Sequence, residues 1–206
     1  MSAAVGGIVL AGGAGRRMGA DKALLELGGR TFLENAVDIL LTVTDDVVVA
    51  GGSAARAAWP ELRVPVVPDR FQRRGPLAGL DAGLRAVKNN SAVVVACDMP
   101  FLNPRLLRRL AAQIAGYDAV VPVSSGRRHP LHGVYSRRCL PLIEELLRRG
   151  GGMNDLLNRV KTKVVPEEEV RELDPEGLSC LNVNYPEELD RARALWERSR
   201  REVATP

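Results

Sequence analysis

The first residues that could carry chemistry lie in a glycine-rich segment that directly follows a short apolar run. The run ends at the adjacent glycines Gly12 and Gly13, and the cations Arg17 and Lys22 follow soon after. Glycine lets the main chain approach phosphate oxygens closely, and successive backbone N–H groups form an anion-binding nest. Arginine and lysine add charge-assisted hydrogen bonds. This combination predicts a loop that binds a polyphosphate, although a simple strand-to-loop turn is the alternative for the two glycines.

The loop lacks the spacing of two well-known phosphate-binding motifs. A P-loop requires Gly-x-x-x-x-Gly-Lys, and no glycine stands at that spacing before Lys22. A dinucleotide-binding fingerprint requires Gly-x-Gly-x-x-Gly, and here Gly13 and Gly15 are followed by Met18 at the last position. The sequence therefore argues against a nicotinamide dehydrogenase and predicts a phosphate loop of another kind.

A carboxylate follows the most apolar predicted strand, Ser91–Ala96. In open α/β sheets, ligands bind at the carboxyl ends of strands, which is where Asp98 should lie. Mg²⁺ prefers one or two carboxylates together with phosphate oxygens and water. Asp98 is therefore predicted to be a magnesium ligand, and a helix cap or a buried ion pair is the alternative.

Short apolar runs alternate with longer helical patterns along the chain, which predicts an α/β fold. We expect a three-layer sandwich with a mostly parallel, Rossmann-like central sheet. The predicted strands are Gly6–Ala11, Val47–Ala50, Val64–Val67, Ser91–Ala96, Ala119–Val123, His132–Tyr135, Lys161–Val165 and Leu181–Val183. The predicted helices begin at a Thr31–Glu34 capping box, Pro76, Pro104, Arg138, Met153 and Pro186, and end near Leu41, Val87, Ile114, Arg149, Val160 and Arg198.

Length and composition set broad limits on the protein class. A chain of 206 residues is predicted to form one domain, with a frayed tail at 199–206. Net charge is +4 and aromatic residues make up only 4%, which argues against a nucleic-acid partner. No apolar run suggests a membrane span or a signal peptide, and three widely separated cysteines favour a reducing cytoplasm.

The pattern Leu-Ala-Gly-Gly-x-x-x-Arg-Met-Gly-x-x-Lys at residues 10–22 resembles the signature of the molybdenum cofactor guanylyltransferases, the MobA family. Three later landmarks follow in the order and spacing of that family: Gly75–Leu80, Cys97–Pro100 and Asn182–Asn184. The resemblance covers roughly residues 6–195, and it implies a sheet of the nucleotidyltransferase type. It also implies a nucleotide-binding half at about 6–123 and an acceptor-binding half at about 124–198. It implies transfer of GMP from GTP to molybdenum-molybdopterin, with Mg²⁺ as the cofactor and with cofactor insertion and delivery proteins as candidate partners.

The resemblance also implies roles for particular residues. Asp69 matches a nucleoside-contacting position, and a carboxylate can accept from both N–H donors of guanine; a turn-forming aspartate is the alternative. Asn182 and Asn184 flank Val183, so on a strand they would face the same way, toward the acceptor. The implied nucleotide-binding residues are Leu10, Ala11, Gly12, Gly13, Lys22, Asp69, Gly79 and Asp98. Catalysis is implied for Arg17, Lys22 and Asp98, and acceptor binding for Asn182, Asn184 and Arg128.

Some features depart from the family or leave alternatives open. The family has an asparagine where this chain has Ala50, and often a threonine where this chain has Tyr185. For Gly79, the alternative to nucleotide binding is tight helix packing. For Asn184 and Arg128, the alternatives to acceptor binding are helix capping and a position in a solvated loop. The pair His129 and His132 is poorly spaced for zinc. Rival functions are cytidylyl transfer to the same acceptor, a sugar-1-phosphate guanylyltransferase, and a GTP-binding adaptor without catalysis.

Overall fold

A computed structural model describes residues 4–11, 22–51, 59 and 62–204 of the chain. The predictions for Gly12, Gly13 and Arg17 lie outside the described residues, as does the side chain of Lys22. None of the helices in the described ranges combines the length and the hydropathy that a membrane-spanning segment needs.

The described residues form one eight-stranded sheet beside a small two-stranded one. The strands of the main sheet are β1 (Gly6–Leu10), β4 (Val47–Gly51), β5 (Val66–Pro68), β6 (Ser91–Ala96), β7 (Ala119–Ser124), β8 (Arg127–Arg128), β9 (His132–Ser136) and β10 (Thr162–Val165). Their order in the sheet is β10-β7-β9-β6-β1-β4-β5, with β8 paired to β7. The small sheet pairs β2 (Glu26–Leu27) with β3 (Arg30–Thr31).

Most neighbouring strands of the main sheet run parallel, as the apolar runs predicted. β1 pairs in parallel with β4 and β6, and β5 and β10 join in parallel at the two edges. The exception on the main path is β9, which lies antiparallel between β6 and β7. Because β9 comes from the predicted acceptor-binding half and β6 from the nucleotide-binding half, a single sheet joins the two halves.

Helices cover both faces of the sheet, which confirms the three-layer sandwich. The helices are α1 (Phe32–Leu41), α2 (Pro76–Ala86), α3 (Pro104–Ala111), α4 (Leu140–Arg149), α5 (Met153–Arg159), α6 (Glu167–Arg171) and α7 (Pro186–Ala204). One core cluster packs Val9, Val93 and Val95 of the sheet against α1, α3 and α6. The other packs Ile8, Val48 and Val94 against α2, α4 and α5. Burial on both faces explains why β1 and β4, which pair in parallel in the middle of the sheet, are apolar at every position.

Two predicted elements differ from the structure near the end of the chain. Residues 181–184 form no strand; instead the Val183 N–H donates to the backbone oxygen of Asp98 at 2.9 Å. That N–H is therefore not available to a sheet ladder. The last helix continues beyond its predicted end at Arg198 to Ala204, where a frayed tail was expected. Arginine and glutamate in this stretch are good helix formers, which accounts for the continuation.

The start of α1 is the capping box that the sequence predicted. The Glu34 N–H donates to Thr31 Oγ1 at 3.2 Å, and the Thr31 N–H donates to Glu34 Oε2 at 2.8 Å. Each bond satisfies a backbone donor that the first helical turn would otherwise leave to water.

We expect Thr31→Ala to lower the free energy of unfolding by about 1 kcal/mol, because alanine cannot accept the Glu34 N–H. Chemical denaturation measures the loss. Thr31→Ser, which keeps the hydroxyl, should stay close to the parent protein. Equal stability of the alanine variant and the parent would show that the cap contributes nothing.

Candidate active site

Four strand ends of the main sheet lie side by side at one edge, joined by backbone hydrogen bonds. The Cys97 N–H donates to the Leu10 oxygen at 3.0 Å, and the Ala11 N–H donates to the Ala50 oxygen at 2.8 Å. The Asp69 N–H donates to the Gly51 oxygen at 3.1 Å. These bonds continue the ladder beyond the strands, so the segments after β1, β4, β5 and β6 are held in register. The edge is the place where open α/β sheets bind ligands.

Gly79 brings α2 close to this edge. A Cβ at Gly79 would lie 2.9 Å from Leu10 Cδ2, 3.6 Å from Ala50 Cβ and 3.7 Å from Asp69 Oδ1. The predicted nucleotide-binding residues Leu10, Asp69 and Gly79 therefore converge, and Ala50 completes the group. Gly79 and Ala50 are themselves buried, so these contacts support the packing alternative for Gly79. A direct contact of Gly79 with a nucleotide stays a prediction.

Asp69 has a carboxylate oxygen to which no group in the described part of the chain donates a hydrogen bond. Its Oδ1 is buried and accepts no hydrogen bond within the described ranges. Burial raises the pKa of this carboxyl above its ordinary value, because it disfavours the charged form. A buried acceptor without a donor costs free energy, so this oxygen suits a ligand that supplies an N–H.

Asp81 is a second acid nearby, and the sequence reading missed its role. Its side chain is fully buried in α2 and is paired with Arg70 Nη1 at 3.2 Å and Arg85 Nε at 3.0 Å. Because Arg70 directly follows Asp69, this ion pair anchors the loop that carries Asp69. The sequence signal that could have predicted this ion pair is an aspartate within the apolar face of a helix.

Asp98 follows β6 in a turn held by contacts from two distant segments. The Val183 N–H donates to its backbone oxygen, and Asn35 Nδ2 donates to the Pro100 oxygen at 2.9 Å. The Asp98 side chain is half-buried, and its Oδ1 is inaccessible to solvent. The described residues contain no cluster of three or more His, Cys, Asp or Glu. A single hard carboxylate of this kind fits Mg²⁺ that takes its other ligands from phosphates and water.

The three predicted acceptor-binding residues Asn182, Asn184 and Arg128 line one open cleft of about 680 Å³. Val183 between the two asparagines is fully buried, so both amides lie on the cleft side although no strand forms. The Glu188 carboxylate accepts from the N–H groups of Asn184 and Tyr185, and so caps the start of α7. Arg128 Nη2 donates to Asn158 Oδ1 at 3.1 Å.

A buried polar cluster supports one wall of this cleft. Ser179 Oγ accepts from the Asn103 N–H at 2.9 Å and lies 3.3 Å from His132 Nε2. The Asp174 carboxylate accepts from the N–H groups of Leu178 and Ser179. Leu178 and its neighbours line the cleft, so the cluster fixes that wall to β9 and to the start of α3.

His132 is a structural histidine in this cluster and not half of a zinc pair. It is fully buried, and burial lowers its pKa to about 3, so the ring is neutral at physiological pH. His129 Nε2 lies 3.1 Å from the Ser124 backbone oxygen. These separate contacts explain the two histidines without a metal.

A mostly parallel sheet covered on both faces, with acidic groups and a polar cleft at the carboxyl ends of its strands, defines a Rossmann-like protein of the nucleotidyltransferase class. Residues 7–164 match the MobA-like NTP transferase domain, and the chain belongs to that family.

Relatives and solved structures agree with this assignment over nearly the whole chain. The chain is 40% identical to a probable molybdenum cofactor guanylyltransferase of Pelotomaculum thermopropionicum, with 94% of each chain covered. It is 36% identical to the molybdenum cofactor guanylyltransferase of Desulfosudis oleivorans, covering 96% of this chain and 98% of the relative. The crystal structure of molybdopterin-guanine dinucleotide biosynthesis protein A from Archaeoglobus fulgidus superposes with a TM-score of 0.82 at 28% identity, covering 93% and 98%.

We expect Ser179→Ala to lower the free energy of unfolding by about 1–3 kcal/mol, because it leaves the buried Asn103 N–H without an acceptor. Urea denaturation measures the change. Ser199→Ala on exposed α7 is the matched control and should stay within about 0.5 kcal/mol of the parent. An equal effect of the two changes would contradict the role of the cluster.

We expect Asp69→Asn to raise stability near pH 7. Burial raises the pKa of Asp69 in the folded state, so its contribution to stability is greatest at acid pH and is lost as the pH rises through that pKa. Asparagine carries no charge, so the gain over the parent should grow from pH 4 to pH 7 in thermal melts. A gain that is the same at both pH values would show that Asp69 ionisation is not its source.

Proposed function

We propose that this protein transfers GMP from GTP to molybdenum-molybdopterin, giving the guanine dinucleotide form of the cofactor and pyrophosphate. One observation carries the proposal: the N–H of Val183, between the two cleft asparagines, donates to the backbone oxygen of Asp98. The segment that carries the candidate acceptor-binding asparagines is therefore bonded to the turn that carries Asp98, the candidate metal ligand. The names of the similar proteins agree with this reaction.

The reaction needs positioning more than it needs a strong base. The terminal phosphate of the acceptor is ionised at pH 7 and attacks the α-phosphorus of GTP. A new P–O bond forms as the bond between the α-phosphorus and the bridging oxygen breaks, and pyrophosphate leaves with that oxygen. Orientation of the two anions and neutralisation of their charge can supply the rate enhancement. No serine–histidine pair is required.

Each proposed nucleotide contact has a physical basis. The Asp69 carboxylate accepts from the two N–H donors of guanine, a pair that cytosine and uracil lack. Leu10 ends β1 and Ala11 follows it at the sheet edge, where their main chain and apolar surface are proposed to contact the nucleotide. Arg17 and Lys22 are proposed to bind the triphosphate, arginine as a two-pronged donor and lysine as a point charge.

Asp98 is proposed to hold Mg²⁺ together with phosphate oxygens of GTP and water. When bound, the ion supplies positive charge that offsets the charge of the triphosphate and the leaving pyrophosphate. Asp98 itself contributes a fixed carboxylate, because contacts from Val183 and Asn35 hold its turn. Preorganisation of this kind avoids the cost of reorganising the site during the reaction.

Asn182, Asn184 and Arg128 are proposed to bind the acceptor, and the division of the chain near residue 123 is proposed to separate acceptor from nucleotide contacts. A cytoplasmic location and interactions with insertion or delivery proteins stay predictions. The three cysteines are buried and form no disulfide with one another, which supports the prediction of a reducing compartment.

The test offers purified protein α-labelled GTP, CTP or ATP with Mg²⁺ and molybdenum-loaded molybdopterin. We expect label to appear in a dinucleotide only from GTP. Label from CTP would identify a cytidylyltransferase instead, and GTP binding without release of pyrophosphate would identify a non-catalytic adaptor.

We expect Asp98→Asn to lower turnover by about 10²–10³-fold, because the amide is a much weaker magnesium ligand than the carboxylate. Asp190→Asn is the matched control, since Asp190 is an exposed α7 residue paired with Arg193. Steady-state kinetics at saturating GTP measure both variants, and circular dichroism checks their folding. Near-normal turnover of a folded Asp98→Asn protein would remove Asp98 from the mechanism.

A further inference from the structure

Some of the charged side chains that line the acceptor cleft form hydrogen bonds or ion pairs with other described residues, and two do not. Arg128 donates to Asn158, Glu176 accepts from Arg198 at 2.6 Å, and Glu188 caps the start of α7. The guanidinium groups of Arg127 and Arg191 also line the cleft, and within the described ranges neither has a hydrogen bond or an ion pair. The cleft therefore combines engaged carboxylates with two cations that no side chain in the described part of the chain neutralises.

Arg127 lies on a hairpin whose geometry is fixed. Strands β7 and β8 pair Ser124 with Arg127, so Ser125 and Gly126 form a two-residue turn. Both turn residues have positive φ, 51° and 69°, as the type I′ turn of a tight hairpin requires. The Gly126 N–H donates to Glu167 Oε2 at 3.0 Å, which ties the turn to α6. The backbone at Arg127 is therefore held in place beside the cleft.

Arg191 lies on α7, which is anchored by its opposite face. Leu189 and Ala192 of this helix are buried against Phe32 and Val183. Arg191 is exposed and reaches the cleft from the helix side. Two rigid elements from different parts of the chain thus present one cation each to the same space.

We infer that Arg127 and Arg191 form a clamp for the phosphomonoester group of the acceptor. This inference rests on the proposed function and deepens it. The attacking group and the triphosphate are both anionic, so their approach is opposed by charge repulsion in a partly desolvated site. Two guanidinium groups offset that repulsion from the acceptor side, as Asp98-bound Mg²⁺ does from the nucleotide side. Each guanidinium can donate two parallel bonds to phosphate oxygens.

The test measures acceptor binding without catalysis. Equilibrium dialysis of molybdenum-molybdopterin in the absence of GTP compares the parent with Arg127→Ala, Arg191→Ala and the double variant. We expect each single change to raise the acceptor Kd by about 10-fold or more, the range of a lost charge-assisted bond. The double change should raise it by less than the product of the two, because both residues share one phosphate.

Two controls separate a clamp from general surface charge. Arg193→Ala removes a cation from the same helix that is paired with Asp190 and does not line the cleft, so acceptor binding should not change. The Kd for GTP should also stay within about 2-fold for every variant. If Arg191→Lys weakens acceptor binding as much as Arg191→Ala does, the result agrees with bidentate binding by the guanidinium. If Arg191→Lys keeps the acceptor Kd of the parent, a point charge is sufficient and the bidentate geometry is contradicted.

A second probe keeps the clamp separate from the proposed reaction. Titration with inorganic phosphate should shift the Nε–Hε signals of Arg127 and Arg191 in the NMR spectra of the parent and of Arg193→Ala. The two signals are assigned by their loss from the corresponding single variants. If the parent makes dinucleotide while the acceptor Kd is unchanged in Arg127→Ala and Arg191→Ala, the clamp is wrong and the function stands. If the parent makes no dinucleotide but phosphate still binds these arginines, the function is wrong and the clamp stands.

Discussion

The hydrogen bond from the Val183 N–H to the Asp98 oxygen is the contact on which the arrangement of the site depends. It joins the turn after β6 to the segment that precedes α7, two regions far apart in the chain. Because the Val183 N–H is used there, residues 181–184 do not add a strand to the sheet. Val183 is instead buried toward the core, and Asn182 and Asn184 on either side of it line the cleft. One long-range bond thus links the candidate acceptor-binding segment to the turn that carries Asp98.

The parts of the fold that the sequence predicted depend on local signals. Ser91–Ala96 is predicted with correct bounds, because a parallel strand buried on both faces is apolar throughout. The Thr31–Glu34 capping box and the Asn103 cap of α3 are also short-range patterns. Of the site, Leu10, Asp69 and Gly79 are brought together at one sheet edge, and Asn182, Asn184 and Arg128 at one cleft. Their roles as ligand contacts remain predictions.

The parts that the sequence did not predict depend on contacts between distant segments. The link from Ser179 to Asn103 and His132 has no local signature, since a buried serine resembles a loop serine in sequence. Arg191 belongs to a helix with many arginines, and only the packing of Leu189 and Ala192 determines that it reaches the cleft. The strand expected at Leu181–Val183 fails for the same reason, because β-branched and apolar residues there satisfy a tertiary contact instead.

Asp69 and Asp81 show how the structure separates a candidate ligand-binding acid from an acid that the protein itself pairs. Both are aspartates near the same loop and both have buried oxygens, so their chemistry and position do not distinguish them. The protein supplies Asp81 with two arginines, which completes its hydrogen bonding and leaves nothing for a ligand. The residues that the structure describes leave the Oδ1 of Asp69 without a donor, although buried polar atoms are almost always satisfied. Such an exception is retained at a cost in stability, and a ligand that donates N–H groups would remove that cost.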